Sequence, residues 1–183
     1  MPFATWWRGD PLPVLTALPG FSARPVTRWA EAQTVTGLTE GRVIDRLSDG
    51  NTLYAAYLAG QPAGYGWLAR QVGRISELHL SFTMPPGNAY LWDFVTAPAY
   101  RGRGVYPHLL QAILAEEDAL TRFWIGYEAH NTASARGIEK AGFQVIGDLV
   151  VQAGEVSAVT LENRGERGRA IADIFGLPVT EDA

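Results

Sequence analysis

The chain has 183 residues, 47% of them apolar, no cysteine and a formal net charge of −4. That is enough apolar chain for one well-buried domain, and nothing demands a second. The mild acidity disfavours a sequence-independent nucleic-acid binder, and the lack of cysteine excludes disulfides, a thiolate nucleophile and thiolate metal ligands.

The opening Met1-Pro-Phe-Ala-Thr-Trp-Trp-Arg8 lacks a charged segment followed by an apolar one, and no apolar run reaches membrane-spanning length. A cytoplasmic protein without membrane partners is the expectation. Residues 1–25 hold five prolines and no clean period, so they are expected as an irregular arm anchored by Trp6 and Trp7. Residues 26–33 partly alternate and suggest a first strand. Leu38, Val43, Ile44 and Leu47 keep helical spacing after Thr36, with Gly41 breaking the run. Strands are expected at Thr52–Ala59 and Gly64–Arg70 around an Ala59-Gly-Gln-Pro62 turn.

Leu78, Leu80 and Phe82 alternate with Glu77, His79 and Ser81, which predicts a strand over Ser76–Phe82. The segment Met84-Pro-Pro-Gly-Asn88 then turns the chain into a strand, Tyr90–Thr96. A helix from Pro107 to Leu120 follows, then a strand at Phe123–Glu128 and a short helix at Asn131–Ala141 stopped by Gly142. Strands at Val145–Val151 and Val156–Leu161 and a terminal helix over Arg164–Phe175 complete the order. The fold class is α/β or α+β with a mixed sheet. The expected division is an arm over 1–25, a domain over 26–162 and a tail over 163–183.

Arg101-Gly-Arg-Gly-Val-Tyr106 carries the most information. A glycine-rich turn between strand and helix leaves backbone N–H groups free at the positive end of that helix, which suits a phosphate. Gly102 and Gly104 let the backbone bend there, and Arg101 and Arg103 add charge.

Two motifs resemble the GNAT superfamily of acyl-CoA-dependent N-acyltransferases. Val95-Thr-Ala-Pro-Ala-Tyr-Arg-Gly-Arg-Gly-Val-Tyr106 is similar to that family's pyrophosphate turn, R-x-x-G-x-G/A. His130-Asn-Thr-Ala-Ser-Ala-Arg-Gly-Ile-Glu-Lys-Ala-Gly-Phe143 resembles its Asn-led helix ending in E-K-x-G-F. The resemblance implies a mostly antiparallel central sheet with helices on both faces, splayed between Leu91–Thr96 and Phe123–Glu128. It implies acetyl-CoA or another acyl-CoA on Arg101, Gly102, Arg103, Gly104, Val105 and Tyr106. The pantetheine arm would follow the backbone of Phe94, Val95 and Thr96, near Asn131 and Ser134. It implies no metal, and a small-molecule or peptide amine as acceptor; dimers are common among such proteins. Two positions depart from the pattern: Tyr106 stands where the turn has a small residue, and Ile138 where the helix often has a tyrosine general acid. These departures motivate an alternative, a module that binds CoA or a related nucleotide without turnover.

An amine must lose a proton to attack a thioester, so a carboxylate at the notch would help. Asp93, flanked by Leu91 and Val95, and Glu128, at the end of the partnering strand, are the candidates for that base. Glu77 and His79 share a face that could line an acceptor cleft. Tyr127, Tyr90 and Ser134 are candidate proton donors, and His108 reads as a surface residue.

Overall fold

The computed structural model describes residues 1–152, 155–162 and 165–180. A nine-stranded sheet forms its centre. In chain order the strands are β1 Pro2–Trp7, β2 Phe21–Val26, β3 Thr52–Leu58, β4 Gln61–Ala69, β7 Asn88–Thr96, β8 Arg122–Gly126, β9 Gln144–Gln152, β10 Glu155–Leu161 and β11 Val179–Thr180. A separate hairpin pairs β5, Val72–Ile75, with β6, Leu80–Thr83. The helices are α1 Trp29–Thr36, α2 Glu40–Ser48, α3 Val105–Glu116, α4 Thr132–Lys140 and α5 Glu166–Phe175. Across the sheet the order is β11-β10-β9-β1-β8-β7-β4-β3-β2. Neighbours are antiparallel except β7–β8 and β10–β11.

The residues expected as an irregular arm supply β1, which lies between β8 and β9. Its alternation is hidden in sequence because both faces of the sheet are covered, so Phe3, Ala4 and Trp6 are all buried. Ala4 and Trp6 join the core under α3 and α4, while Phe3 joins the core under α5 and the hairpin. Residues 26–33, expected as a strand, divide instead into the end of β2 and the start of α1. Ser76–Leu78 forms a single 3-10 turn, so Glu77 and His79 do not share a strand face. His79 ends that turn with φ of 48°. The terminal helix begins at Glu166 and buries Ile171, so that segment is part of the packed domain; Arg164 lies outside the described residues. No helix among the described residues is long and apolar enough to cross a membrane.

The decisive feature is a fork. β7 and β8 pair in parallel only from Asn88↔Arg122 to Leu91↔Ile125. Beyond Leu91, β7 stays with β4 as far as Gly64↔Thr96, while Tyr127 N–H still bonds the Pro2 carbonyl beside β1. A bulge prises the strands apart: between Trp67↔Trp92 and Tyr65↔Val95, Gly66 faces both Asp93 and Phe94. A Cβ on Gly66 would lie 2.1 Å from the Phe94 ring, so the missing side chain lets that ring cover the strand.

Candidate active site

The fork opens into a cleft of about 630 Å³ between β7, α3 and α4. Such a volume lies within the range of about 300–1,000 Å³ seen for small-molecule sites. Phe94, Val95 and Thr96 form one wall; Arg101, Gly102, Gly104, Val105 and Tyr106 form the end; Asn131 and Ser134 face them from α4. Those ten residues are among the expected cofactor contacts. Arg103 is the exception: it is exposed and does not line the cleft, and its guanidinium lies 5.7 Å from the Tyr100 ring centroid. The sequence motifs did not single out Tyr100, Pro107, Ala133, Arg136, Gly137 and Lys140, which also line it. Arg136 and Lys140 were legible as cations four residues apart, but not as facing a cleft.

The end of the cleft is a helix N-terminus. Gly104 caps α3 with φ of 86° and Gly102 has φ of 75°, values at which an L side chain is strained. The first intrahelical bond runs from His108 N–H to the Gly104 carbonyl at 3.3 Å. The N–H groups of Val105 and Tyr106 therefore have no intrahelical acceptor. His108 is half-buried, with Nδ1 2.8 Å from the Gly104 carbonyl oxygen and its ring 5.2 Å from Phe21. It braces the turn rather than decorating the surface.

On the opposite wall Asn131 caps α4, its Oδ1 accepting the Ser134 N–H at 3.0 Å. That bond leaves the amide NH2 end of Asn131 for a ligand. Tyr106 crosses from α3 toward α4. Its ring centroid is 5.3 Å from that of Phe94, and its hydroxyl is 3.5 Å from Ser134 Oγ. A Cβ added to Gly137 would lie 2.4 Å from Tyr106 Cδ1, so the glycine on α4 makes the room that the tyrosine on α3 fills. Burial pushes the Tyr106 phenol well above its ordinary value, so it stays protonated. Ile138 is buried in the core and absent from the cleft wall.

The two carboxylates expected as bases are not brought together, and neither lines the cleft. Asp93 occupies the bulge with φ of 49°, and its Oδ2 lies 2.5 Å from Arg46 Nη1. The Arg46 guanidinium lies beside both Trp67 and Trp92, 5.0 Å and 4.5 Å from their ring centroids. Asp93 thus has a guanidinium partner instead of the apolar flanks expected from Leu91 and Val95, because the bulge breaks the alternation. Glu128 is exposed just beyond β8, with Oε2 3.1 Å from His130 Nε2. Tyr90 is buried against Phe3 and Phe82 and has no access to the cleft. Tyr127 is half-buried, and burial, followed by Asp148, Glu162 and Glu139, raises its phenol. No group of three or more metal-ligating side chains is placed to hold an ion among the described residues.

The forked sheet opens toward the N-terminus of α3, whose N–H groups suit an anion. Residues 22–143 match the model of the Acetyltransferase (GNAT) family, and the chain belongs to that family. Similar folds include a GCN5-related N-acetyltransferase from Kribbella flavida, with 16% identity, a TM-score of 0.52 and 79% of this chain covered. The chain spans 53% of the length of that protein. An aminoglycoside 6′-N-acetyltransferase from Acinetobacter baumannii has 15% identity and a TM-score of 0.54, with 73% of this chain and 97% of that one covered. A Salmonella typhimurium protein described as an acetyltransferase and solved with acetyl-CoA has 17% identity and a TM-score of 0.51, covering 75% of this chain and 88% of its own. At these identities the likeness concerns the fold alone. No curated protein matches the chain.

Proposed function

We propose that the protein moves an acetyl group from acetyl-CoA to a primary amine by direct attack within a ternary complex. One observation carries the reading: the unpaired edge of β7 and the free N–H groups at the start of α3 open into one cleft. The cleft fits a phosphate-bearing cofactor with an amide-rich arm. It presents Arg101, Arg136 and Lys140 with no carboxylate among its lining residues, and the Asn131 amide projects from its wall. Bound there, acetyl-CoA would supply an activated acyl group and a thiolate leaving group.

The protein's own residues then divide the work. Val105 and Tyr106 offer N–H donors and Arg101 a guanidinium to the pyrophosphate. Phe94, Val95 and Thr96 offer backbone to the arm, and a backbone N–H near Val95 polarises the thioester carbonyl. Glu128, exposed at the fork's open end, takes the amine proton through water; Asp93 is the second candidate, limited by its bond to Arg46. With no cysteine in the chain, an acyl-cysteine intermediate is excluded. If Glu128→Gln and Asp93→Asn both keep full activity and an unshifted pH–rate profile, neither is the base.

The reading is tested by calorimetric titration with acetyl-CoA beside Gly104→Glu, followed by thiol release across an amine panel. Binding that the variant abolishes, with amine-dependent thiol release, supports transfer. Binding without release on any amine supports the second reading, a CoA-binding module, which the burial of Ile138 in place of a phenol favours.

A further inference from the structure

A charged site lies beside the fork on the sheet face turned away from α3. Trp67 pairs with Trp92 and Tyr65 with Val95 across β4 and β7, so these four side chains share one face. Phe94, whose ring meets Tyr106 of α3, takes the other face. Tyr65, Trp67 and Trp92 pack with Ala32 of α1 and Val43 of α2. Val95 is exposed, so this face reaches solvent behind the wall of the cleft that its backbone forms.

The site is built for a cation, and one of the protein's own side chains fills it. Arg46 packs its guanidinium on Trp67 and Trp92 and bonds Asp93. Two indole rings and a carboxylate are the groups that recognise an ammonium or guanidinium ligand. Arg46 is lightly held. Asp10 engages Arg167 with both oxygens, whereas only Oδ2 of Asp93 meets Arg46. The helix that carries Arg46, α2, buries Val43 alone, and its N-cap Thr39 makes no side-chain bond. Trp67 Nε1 is buried without a hydrogen-bond partner, so the packing leaves a donor unsatisfied. Asp93 is exposed and holds a φ of 49°, the kind of backbone strain that clusters where ligands bind.

We propose that the acceptor is a primary amine carrying a second cation, and that Asp93, Trp92 and Trp67 form the subsite for that second cation, which Arg46 occupies in the free protein and yields on binding. The proposal rests on the acyl-transfer reading and names the acceptor class. Arg46 is the stand-in for the ligand's cation and acts as a latch: its release frees α2 from the fork. Asp93 precedes Val95 by two residues, so the second cation sits roughly 7 Å along the strand from the reacting nitrogen. A flexible diamine of about five methylenes spans that distance. A monoamine of the same length has nothing to exchange for Arg46 while its one nitrogen attacks.

The experiment measures acetyl transfer by the full chain to 1,5-diaminopentane and to pentylamine, whose amines are chemically matched. It is repeated on Arg46→Gln, Arg46→Lys and Asp93→Asn; asparagine tolerates positive φ, so the last variant keeps the bulge. Wild type should prefer the diamine in kcat/KM by about ten-fold or more, as charge-assisted and cation–π contacts supply. Arg46→Gln should lower KM for the diamine and leave that for pentylamine, because the competing guanidinium is gone. Arg46→Lys should behave as wild type, and Asp93→Asn should erase the preference through KM. Equal use of the two amines by wild type overturns the subsite alone, as does no transfer to the diamine by protein that acetylates other amines. Arg46→Gln weakening both amines alike makes Arg46 a clamp only and overturns the exchange. Asp93→Asn slowing both amines alike, with a shifted pH–rate profile, assigns Asp93 as the base and also overturns it. No transfer to any amine by folded wild type overturns the acyl-transfer reading, and the subsite with it.

Discussion

Asp93 has a backbone conformation, φ of 49°, that costs a non-glycine residue about 1–3 kcal/mol. The Arg46 guanidinium, packed against two tryptophans, holds it there. The pair fastens α2 to the bulge beside the fork, so its first role is to shape the open edge of β7. Two substitutions separate strain from charge. Asp93→Gly removes both the ion pair and the steric strain, whereas Asp93→Ala removes the ion pair and keeps the strain. The alanine variant should be the less stable of the two by about 1 kcal/mol in chemical denaturation, because glycine populates positive φ freely. Equal stabilities would show that the bulge relaxes once Arg46 lets go. The sequence offered Asp93 as an acid between two apolar residues. The bulge that re-aims it depends on Gly66 in another strand, and no local pattern announces that.

At the scale of elements, α3 and α4 interlock through one exchange of volume. Tyr106 fills the space that Gly137 leaves, and its phenol spans from the Phe94 ring to Ser134. Gly137→Leu should destabilise the fold by about 1–3 kcal/mol through overpacking and weaken acetyl-CoA binding as the helices part. Adding Tyr106→Gly should return part of the lost stability. A double-mutant cycle measured by thermal unfolding reads this as a favourable coupling, and strict additivity would show that the two positions do not share the space. Gly104→Glu tests the neighbouring turn: it strains a residue with φ of 86° and brings a carboxylate to the anion site, so CoA binding should be lost. The turn and the Asn131 cap were legible because their signals lie within a few residues of one another. The Tyr106–Gly137 match was not, because it joins positions 31 residues apart that meet only when the helices pack.

At the scale of the whole molecule, the N-terminal segment is part of the sheet and is clamped at its far end. The guanidinium groups of Arg122 and Arg167 both pack on Trp7, at 3.9 Å and 4.6 Å from the ring centroid. Asp10 accepts the Trp7 N–H at 2.8 Å and bonds Arg167 on α5 with both oxygens, at 2.5 Å and 2.7 Å. Burial raises the Asp10 carboxyl, but Arg167 and the Trp7 N–H outweigh it and hold it below its ordinary 3.8. The folded state therefore binds this proton less readily than the unfolded chain. Its stabilising contribution is complete above 3.8 and is lost as pH falls through the lower folded value. Asp10→Asn should cost about 2 kcal/mol at neutral pH, as expected for hydrogen bonds to a charged group. Stability curves of wild type and variant should converge below pH 3.8, and a gap that widens on acidification would contradict the assignment.

Much of this protein was set down locally. The glycine turn, the Asn-led helix and the alternation of most strands are encoded by φ preferences, capping groups and side-chain period, which act over a few residues of chain. These determined the fold class, the family and one end of the site. Tertiary structure decided the rest. Pro2–Trp7 became a central strand because partners at 122–126 and 144–148 pair with both its edges, and its buried run lacks a marking alternation because cores cover both faces of the sheet. The fork, the Arg46–Asp93 clamp and the placement of the α4 cations at the cleft likewise depend on segments distant in sequence. Burial and pairing are properties of the packed chain, so a sequence carries them without displaying them.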